Sequence, residues 1–124
     1  MAVGASSKRN VLILEDEAII AMALEDELES LGIHVVGPVN NLKSALRLAD
    51  QADLDGALLD LNINGEYATE VANKLHVRGI PYIFVTGLEH PGGLRHQDVP
   101  VLRKPFTPIE LRSALIELFD KSSN

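Results

Sequence analysis

The 124-residue sequence contains no cysteine, which excludes disulfides and thiolate metal ligation. Aromatic residues make up only 4 % of it, so the core has to be mainly aliphatic. No apolar run approaches the ~20 residues of a membrane-spanning helix. The first ten residues, Met1 to Asn10, are small and polar and lack the apolar stretch of a signal peptide. Positive charge is also scarce. The formal net charge of −7 argues against nonspecific nucleic-acid binding, which needs a basic surface. Internal repeats, low-complexity tracts and a second domain are missing as well. The expectation is one cytoplasmic domain over residues 10–121, flanked by a flexible tail at 1–9 and a short one at 122–124, with neither nucleic acid nor a membrane as partner.

Hydrophobic residues are plentiful, at 46 %, and two periods alternate along the chain. Val11-Leu12-Ile13-Leu14 is a continuous apolar run stopped by Glu15 and Asp16, the pattern of a strand buried on both faces. Ile20, Leu24, Leu28 and Leu31 then repeat at helical spacing up to Gly32, a helix stop. Ile33 to Val39 reads as a second strand, closed by Pro38 and Asn40-Asn41. Leu42, Ala45, Leu46 and Ala49 mark a short second helix. Ala57-Leu58-Leu59 leads into Asp60. Glu66 to Arg78 reads as a third helix with Ala68, Val71, Ala72 and Leu75 inward. Tyr82 to Val85 is a fourth strand ending at Thr86-Gly87, and Val99 to Arg103 a fifth ending at Lys104-Pro105. In the last helix Thr107 and Glu110 form a Thr-x-x-Glu capping box and Pro108 suits the first turn, with Leu111, Ala114, Leu115 and Leu118 inward. Pro91-Gly92-Gly93 disfavours a full helix between residues 88 and 98, leaving at most a short or irregular fourth helix. Five βα units predict an α/β fold with a parallel sheet covered on both faces.

In such a sheet, ligands bind outside the carboxyl ends of the strands. That rule gathers Glu15-Asp16-Glu17, Asp60, Thr86 and Lys104 on one rim. Clustered carboxylates repel, and one of them holds a proton unless a cation intervenes. Mg2+ suits the set, because it needs one or two carboxylates and keeps sites for water and phosphate oxygens; Mn2+ or Ca2+ are further candidates. Lys104 can neutralise a phosphoryl oxygen, Thr86 can donate a hydroxyl to another, and Gly87 leaves room for the approach. One carboxylate of the set can attack phosphorus and become an acyl phosphate.

These pieces, VLILEDE, LLDLN, FVTG and LRKPF in that order at four strand ends, resemble the receiver domain of two-component response regulators over Val11 to about Phe119. The resemblance implies a flavodoxin-like sheet of order 2-1-3-4-5. It implies Asp60 as phosphoacceptor, Asp16 as a direct Mg2+ ligand, Glu15 acting mostly through water, and the main-chain carbonyl of Asn62 as the third protein ligand. Thr86 and Lys104 would bind the phosphoryl oxygens, and the Lys104-Pro105 bond is usually cis in the family. IFVTGLE and LNINGEYATEVA are similar to a subgroup named for a Phe-Ala-Thr-Gly-x-Tyr signature, whose members are often stand-alone receivers. Val85 stands where that signature has Ala, and Glu89 where it has Tyr.

Three departures carry meaning. Glu15 replaces the commoner Asp and reaches further toward a metal. Val101 occupies a position that is usually aromatic, so coupling of a threonine shift to an aromatic swing is not available. Pro91-Gly92-Gly93 replaces a regular helix, which points to ordering of residues 88–98 as the signal. The blander assignments are a solvated helix face for Glu25-Asp26-Glu27 and Glu29, packing for Tyr67, and surface positions for His34, His76, His90 and His96.

The implied function is a phosphorylation-dependent switch fed by a sensor histidine kinase or phosphotransfer protein. It would supply only the chemistry of its own phosphorylation and dephosphorylation, acting on a downstream protein or as a phosphate sink or relay. The chain ends at Asn124, soon after the last helix, so no output domain is expected, and the state would be a monomer or weak dimer. The alternatives are a metal-dependent aspartyl phosphohydrolase and a receiver-like module that binds partners without phosphorylation. The hydrolase is weakened at Asn62, whose amide cannot serve as the general acid.

Overall fold

The computed structural model describes residues 8–87 and 100–122. In chain order the elements are β1 (Asn10–Leu14), α1 (Ala18–Ser30), β2 (His34–Val39), α2 (Leu42–Gln51), β3 (Gly56–Asp60), β4 (Asn62–Ile63), β5 (Glu66–Tyr67), α3 (Thr69–Val77), β6 (Tyr82–Thr86), β7 (Val101–Arg103) and α4 (Pro108–Ser122). Five strands form one parallel sheet in the order β2-β1-β3-β6-β7, and β4 and β5 pair separately as an antiparallel hairpin. The five main strands therefore follow the expected 2-1-3-4-5 order. The expected fourth helix and its Pro91-Gly92-Gly93 lie outside the described residues, as do Glu89, His90 and His96.

The continuous apolar runs are explained by burial on both faces. Leu12 and Leu14, Ala57 and Leu59, and Tyr82 and Phe84 face a core shared with Ala45 and Ala49 of α2 and Val71, Ala72 and Leu75 of α3. The alternate residues Val11, Ile13, Leu58, Ile83 and Val85 face a second core with Leu24 and Leu28 of α1 and Leu111, Leu115 and Leu118 of α4. Period-two alternation thus serves two hydrophobic layers instead of one apolar and one wet face.

Three sequence expectations need correction. Pro38 does not close the second strand but lies within β2, behind a cis Gly37-Pro38 peptide. The register slips there, with Leu12 opposite Val36 and Leu14 opposite Val39. β2 is an edge strand, where proline is tolerated. Gly37, at φ +104, is required by the bulge, since a Cβ would meet the Val39 nitrogen at 2.8 Å. The third helix begins at Thr69, not Glu66, because residues 62–67 turn back as the β4–β5 hairpin. Tyr67, expected to pack, is exposed.

Other particulars agree with the sequence or refine it. Lys104-Pro105 is cis, His34 and His76 are exposed, and Val101 is exposed in β7. Glu27 of the acidic face of α1 is not simply solvated, since Arg112 of α4 donates to it at 2.6 Å. Arg9, at the edge of the expected tail, accepts from His34 N–H at 2.8 Å and stacks its guanidinium 4.4 Å over the Phe119 ring.

The capping box forms as read. Glu110 N–H donates to the Thr107 hydroxyl at 3.1 Å, and Thr107 N–H donates to the Glu110 carboxylate at 2.8 Å. Thr107→Ala is expected to lower unfolding free energy by about 1 kcal/mol. Chemical denaturation checks this, and an unchanged midpoint would show that the cap does not hold α4.

The candidate cation and phosphoryl site

Four carboxylates meet at the carboxyl rim of the sheet. Glu15, Asp16 and Glu17 follow β1, Asp60 ends β3, and one oxygen from each lies within 4.8 Å of the others. Their surroundings differ sharply. The Glu15 side chain is fully buried and Asp60 is 7 % exposed, whereas Glu17 is 63 % exposed. Burial follows from position, because β1 and β3 are central strands and their last residues inherit the walls of the sheet.

Lys104 enters from the segment after β7. Its Nζ lies 3.0 Å from Glu15 Oε1, 3.2 Å from Glu17 Oε1 and 3.3 Å from Asp60 Oδ2. Its main-chain N–H donates to the Thr86 carbonyl at 2.9 Å, so the base of the lysine is fixed to the end of β6. Thr86 itself is buried at that strand end. On the other side, Asp60 Oδ1 accepts from Asn62 N–H at 3.3 Å, and Asp16 Oδ2 accepts from Asn64 N–H at 3.0 Å. Glu15 Oε2 accepts from Glu17 N–H at 3.1 Å.

All the residues that the sequence nominated, Glu15, Asp16, Asp60, Asn62, Thr86 and Lys104, therefore lie at one rim of the sheet. Two contacts were not foreseen. Glu17 shares the lysine, and the amide of Asn64 holds Asp16. The signal for the second was in the sequence, because Asn64-Gly65 is the dipeptide of a tight hairpin turn.

One ammonium does not balance this many acids. Burial first, and then the charge of Glu15, push the Asp60 carboxyl up to about 7, against the opposing pull of Lys104. For Lys104, burial acts to lower its value, but the hydrogen bond to Glu15 and the charges of Asp60 and Glu15 outweigh it and the net direction is upward. Glu15 Oε1 is buried and receives no hydrogen bond, although it makes the ion-pair contact with Lys104. A cation would resolve both features at once. The donors are all oxygens, which suits Mg2+, Mn2+ or Ca2+ and disfavours softer metals.

A raised carboxyl binds its proton more tightly in the folded chain. Between its unfolded value of 3.8 and its folded value of about 7, the folded state holds the extra proton. The stabilisation is complete at low pH and is lost as pH rises through about 7. In chelator, Asp60→Asn should raise the melting temperature at pH 8 by roughly 5 °C. The gain should shrink to nothing near pH 4 and reverse when saturating Mg2+ stabilises the parent chain. A gain independent of pH would contradict the buried-charge account.

The response regulator receiver domain profile matches residues 11–116. The chain is 30 % identical over 110 residues to the phyllosphere-induced regulator PhyR of Methylorubrum extorquens, covering 85 % of this chain and 41 % of that protein. This chain thus spans less than half the length of that relative. Among solved structures, SdrG from Sphingomonas melonis Fr1 is 42 % identical with a TM-score of 0.80, over 90 % of this chain and 96 % of that one. The receiver domain of sensor histidine kinase PA1611 from Pseudomonas aeruginosa, solved with magnesium in its active-site cleft, shares the fold. It has a TM-score of 0.77 and 22 % identity, over 92 % of this chain and 99 % of that one.

Proposed function

The chain belongs to the response regulator receiver domain family, whose members are phosphorylation-dependent switches that interact with histidine kinases or phosphotransfer proteins, and from that premise we propose that Asp60 is its phosphoacceptor in a reaction that needs Mg2+. The observation that carries this is the meeting of Asp60, Glu15, Asp16 and Lys104 at one rim, with the ammonium within 3.3 Å of the acceptor carboxylate.

In the proposed reaction an Asp60 oxygen forms a bond to phosphorus as the N–P bond of a partner's phosphohistidine breaks. The imidazole leaves with the bonding pair and takes up a proton. Asp16 and Asp60 would ligate the cation directly, Glu15 through water, and Asn62 through its main-chain carbonyl. When bound, the cation supplies neutralisation of the phosphoryl charge. Lys104 neutralises a second phosphoryl oxygen from where it now contacts Asp60, and Thr86 offers its hydroxyl from the adjoining strand end. Water later attacks the phosphorus of the acyl phosphate, the bond to the Asp60 oxygen breaks, and inorganic phosphate leaves the free carboxylate behind. Phosphoryl transfer of this kind depends on alignment and charge balance more than on proton transfer.

Phosphorylation replaces the Asp60 carboxylate with an acyl phosphate whose phosphoryl group carries roughly −1.5 to −2 charge at neutral pH, in a pocket that already strains to hold its acids, and this biases a two-state element of the fold. In our reading the chain is not otherwise an enzyme. It works in the cytoplasm as a monomer or weak dimer, and its output is a downstream protein contact or a phosphate relay. Asn62 leaves the phosphohydrolase alternative without its general acid. No helix among the described residues is long and apolar enough to cross a membrane.

Incubation with Mg2+ and acetyl phosphate should add one phosphoryl group by intact mass, and none to Asp60→Asn. An adduct that survives in that variant moves the site elsewhere. Lys104→Met should slow phosphorylation, yet strengthen Mn2+ binding by roughly 3–10-fold, since a like charge beside the cation is removed. Weakened Mn2+ binding in this variant would show that the ammonium does not oppose the cation.

A further inference from the structure

The β4–β5 hairpin follows Asp60 by a single residue, and its tip reaches the rim of the site. Asn64, at φ +53, and Gly65, at φ +88, form the turn, the two positive-φ positions that a tight two-residue hairpin requires. Gly65 N–H donates to the Asn62 side-chain oxygen at 2.9 Å, tying the turn to the strand that enters it. Behind the turn, Ala68 N–H donates to the Leu61 carbonyl at 2.8 Å and closes the base. Asn64 N–H then donates to Asp16 Oδ2 at 3.0 Å, across 48 residues of sequence.

We infer that this hairpin is a positioning device for the cation site, in which the turn at Asn64-Gly65 holds the Asp16 carboxylate through a main-chain amide. The inference rests on the proposed cation site and names what orients its half-exposed ligand Asp16. Asp16 is the one of the expected carboxylate ligands without a contact to Lys104 among the described ion pairs. A short carboxylate at a half-exposed position samples several rotamers unless something fixes it. The Asn64 amide occupies one oxygen and leaves the other for a cation. The pairing serves the third ligand too. Ile63 and Glu66 close the turn, and Asn62 and Tyr67 form the next pair. In a two-residue hairpin the closing pair exchanges the ladder bonds and the next pair does not, so the Asn62 carbonyl stays outside the ladder.

Gly65 allows a clean test, because a Cβ there would meet nothing within 4 Å. A substitution costs only backbone conformation. Gly79, at φ +72 and equally open, sits after α3 and provides a matched control for the same strain away from the site. The measurement is Mn2+ affinity by electron paramagnetic resonance, with melting temperature confirming the fold. Gly65→Val should weaken Mn2+ binding by roughly tenfold, the range seen when an outer-shell partner is lost. Gly65→Asn, which tolerates positive φ, should restore most of it, and Gly79→Val should leave it unchanged. Full affinity in Gly65→Val, or an equal loss in Gly79→Val, overturns the inference.

The latch itself is read without metal. Exchange of the Asn64 amide in chelator should be slow in the parent chain and faster in Asp16→Ala. Equal rates would overturn the latch even if the cation site stands. A parent chain that binds no Mn2+ would instead sink the site, and the exchange measurement would still decide the latch.

Discussion

Repulsion among carboxylates at the carboxyl rim of the sheet is the constraint around which the rest of the structure is arranged. Parallel strands of one handedness bring all their carboxyl ends to the same rim, so the topology alone concentrates Glu15, Asp16, Glu17 and Asp60. Burial and the neighbouring charge of Glu15 disfavour the ionised form of Asp60 and push its carboxyl up to about 7. Lys104 moderates the conflict without ending it. A pocket in this condition favours any event that brings positive charge, and is sensitive to any event that adds negative charge. That is the physical content of a switch operated by a cation and a phosphoryl group.

The conflict persists because the layers beneath it do not yield. Leu12, Leu14, Leu58, Leu59, Ile83 and Phe84 are completely or almost completely buried on the central strands, and both faces of the sheet are covered by helices. Strand ends anchored in close-packed aliphatic cores cannot separate to relieve their charges. The lysine is held equally firmly, through its own N–H on the Thr86 carbonyl. Stability elsewhere in the fold therefore sustains local electrostatic strain at the rim, as expected where a site serves chemistry and not folding.

Much of this was legible from residue types and spacing. Fully apolar runs marked the central strands, because burial on both faces leaves no polar position. Each run stopped at a polar residue, and those stops are the site. The Thr107–Glu110 box and the inward stripe of α4 were equally plain, since both depend on local spacing. What was misread depended on backbone conformation or on distant partners. Glu66 and Tyr67 fit a helical pattern, but the positive-φ turn at Asn64-Gly65 holds them in a hairpin. Pro38 reads as a strand terminator until the bulge and the edge position of β2 are known. Glu27 belongs to a run of acids whose pattern says solvent, and only the fold brings Arg112 to it.

The two misread segments at the rim differ in what they mean for function. The bulge at Gly37 and Pro38 shapes an edge strand whose last residue, Val39, accepts the Glu15 N–H at 2.9 Å, and so helps set where the acidic run leaves β1. The hairpin acts from the opposite side, on the half-exposed carboxylate of Asp16 instead of the buried ones. The pocket is thus asymmetric. Glu15 and Asp60 face the lysine in a buried half where phosphoryl charge would be neutralised, and Asp16 and Asn62 face a main-chain turn in a wetter half where a hydrated cation can enter. Lys104 binds both carboxylates of the first half, and the Asn64 amide holds Asp16 in the second. A cation that keeps several waters requires such an open side, so the partial exposure of Asp16 and the exposure of Asn62 follow from the chemistry the site is proposed to perform.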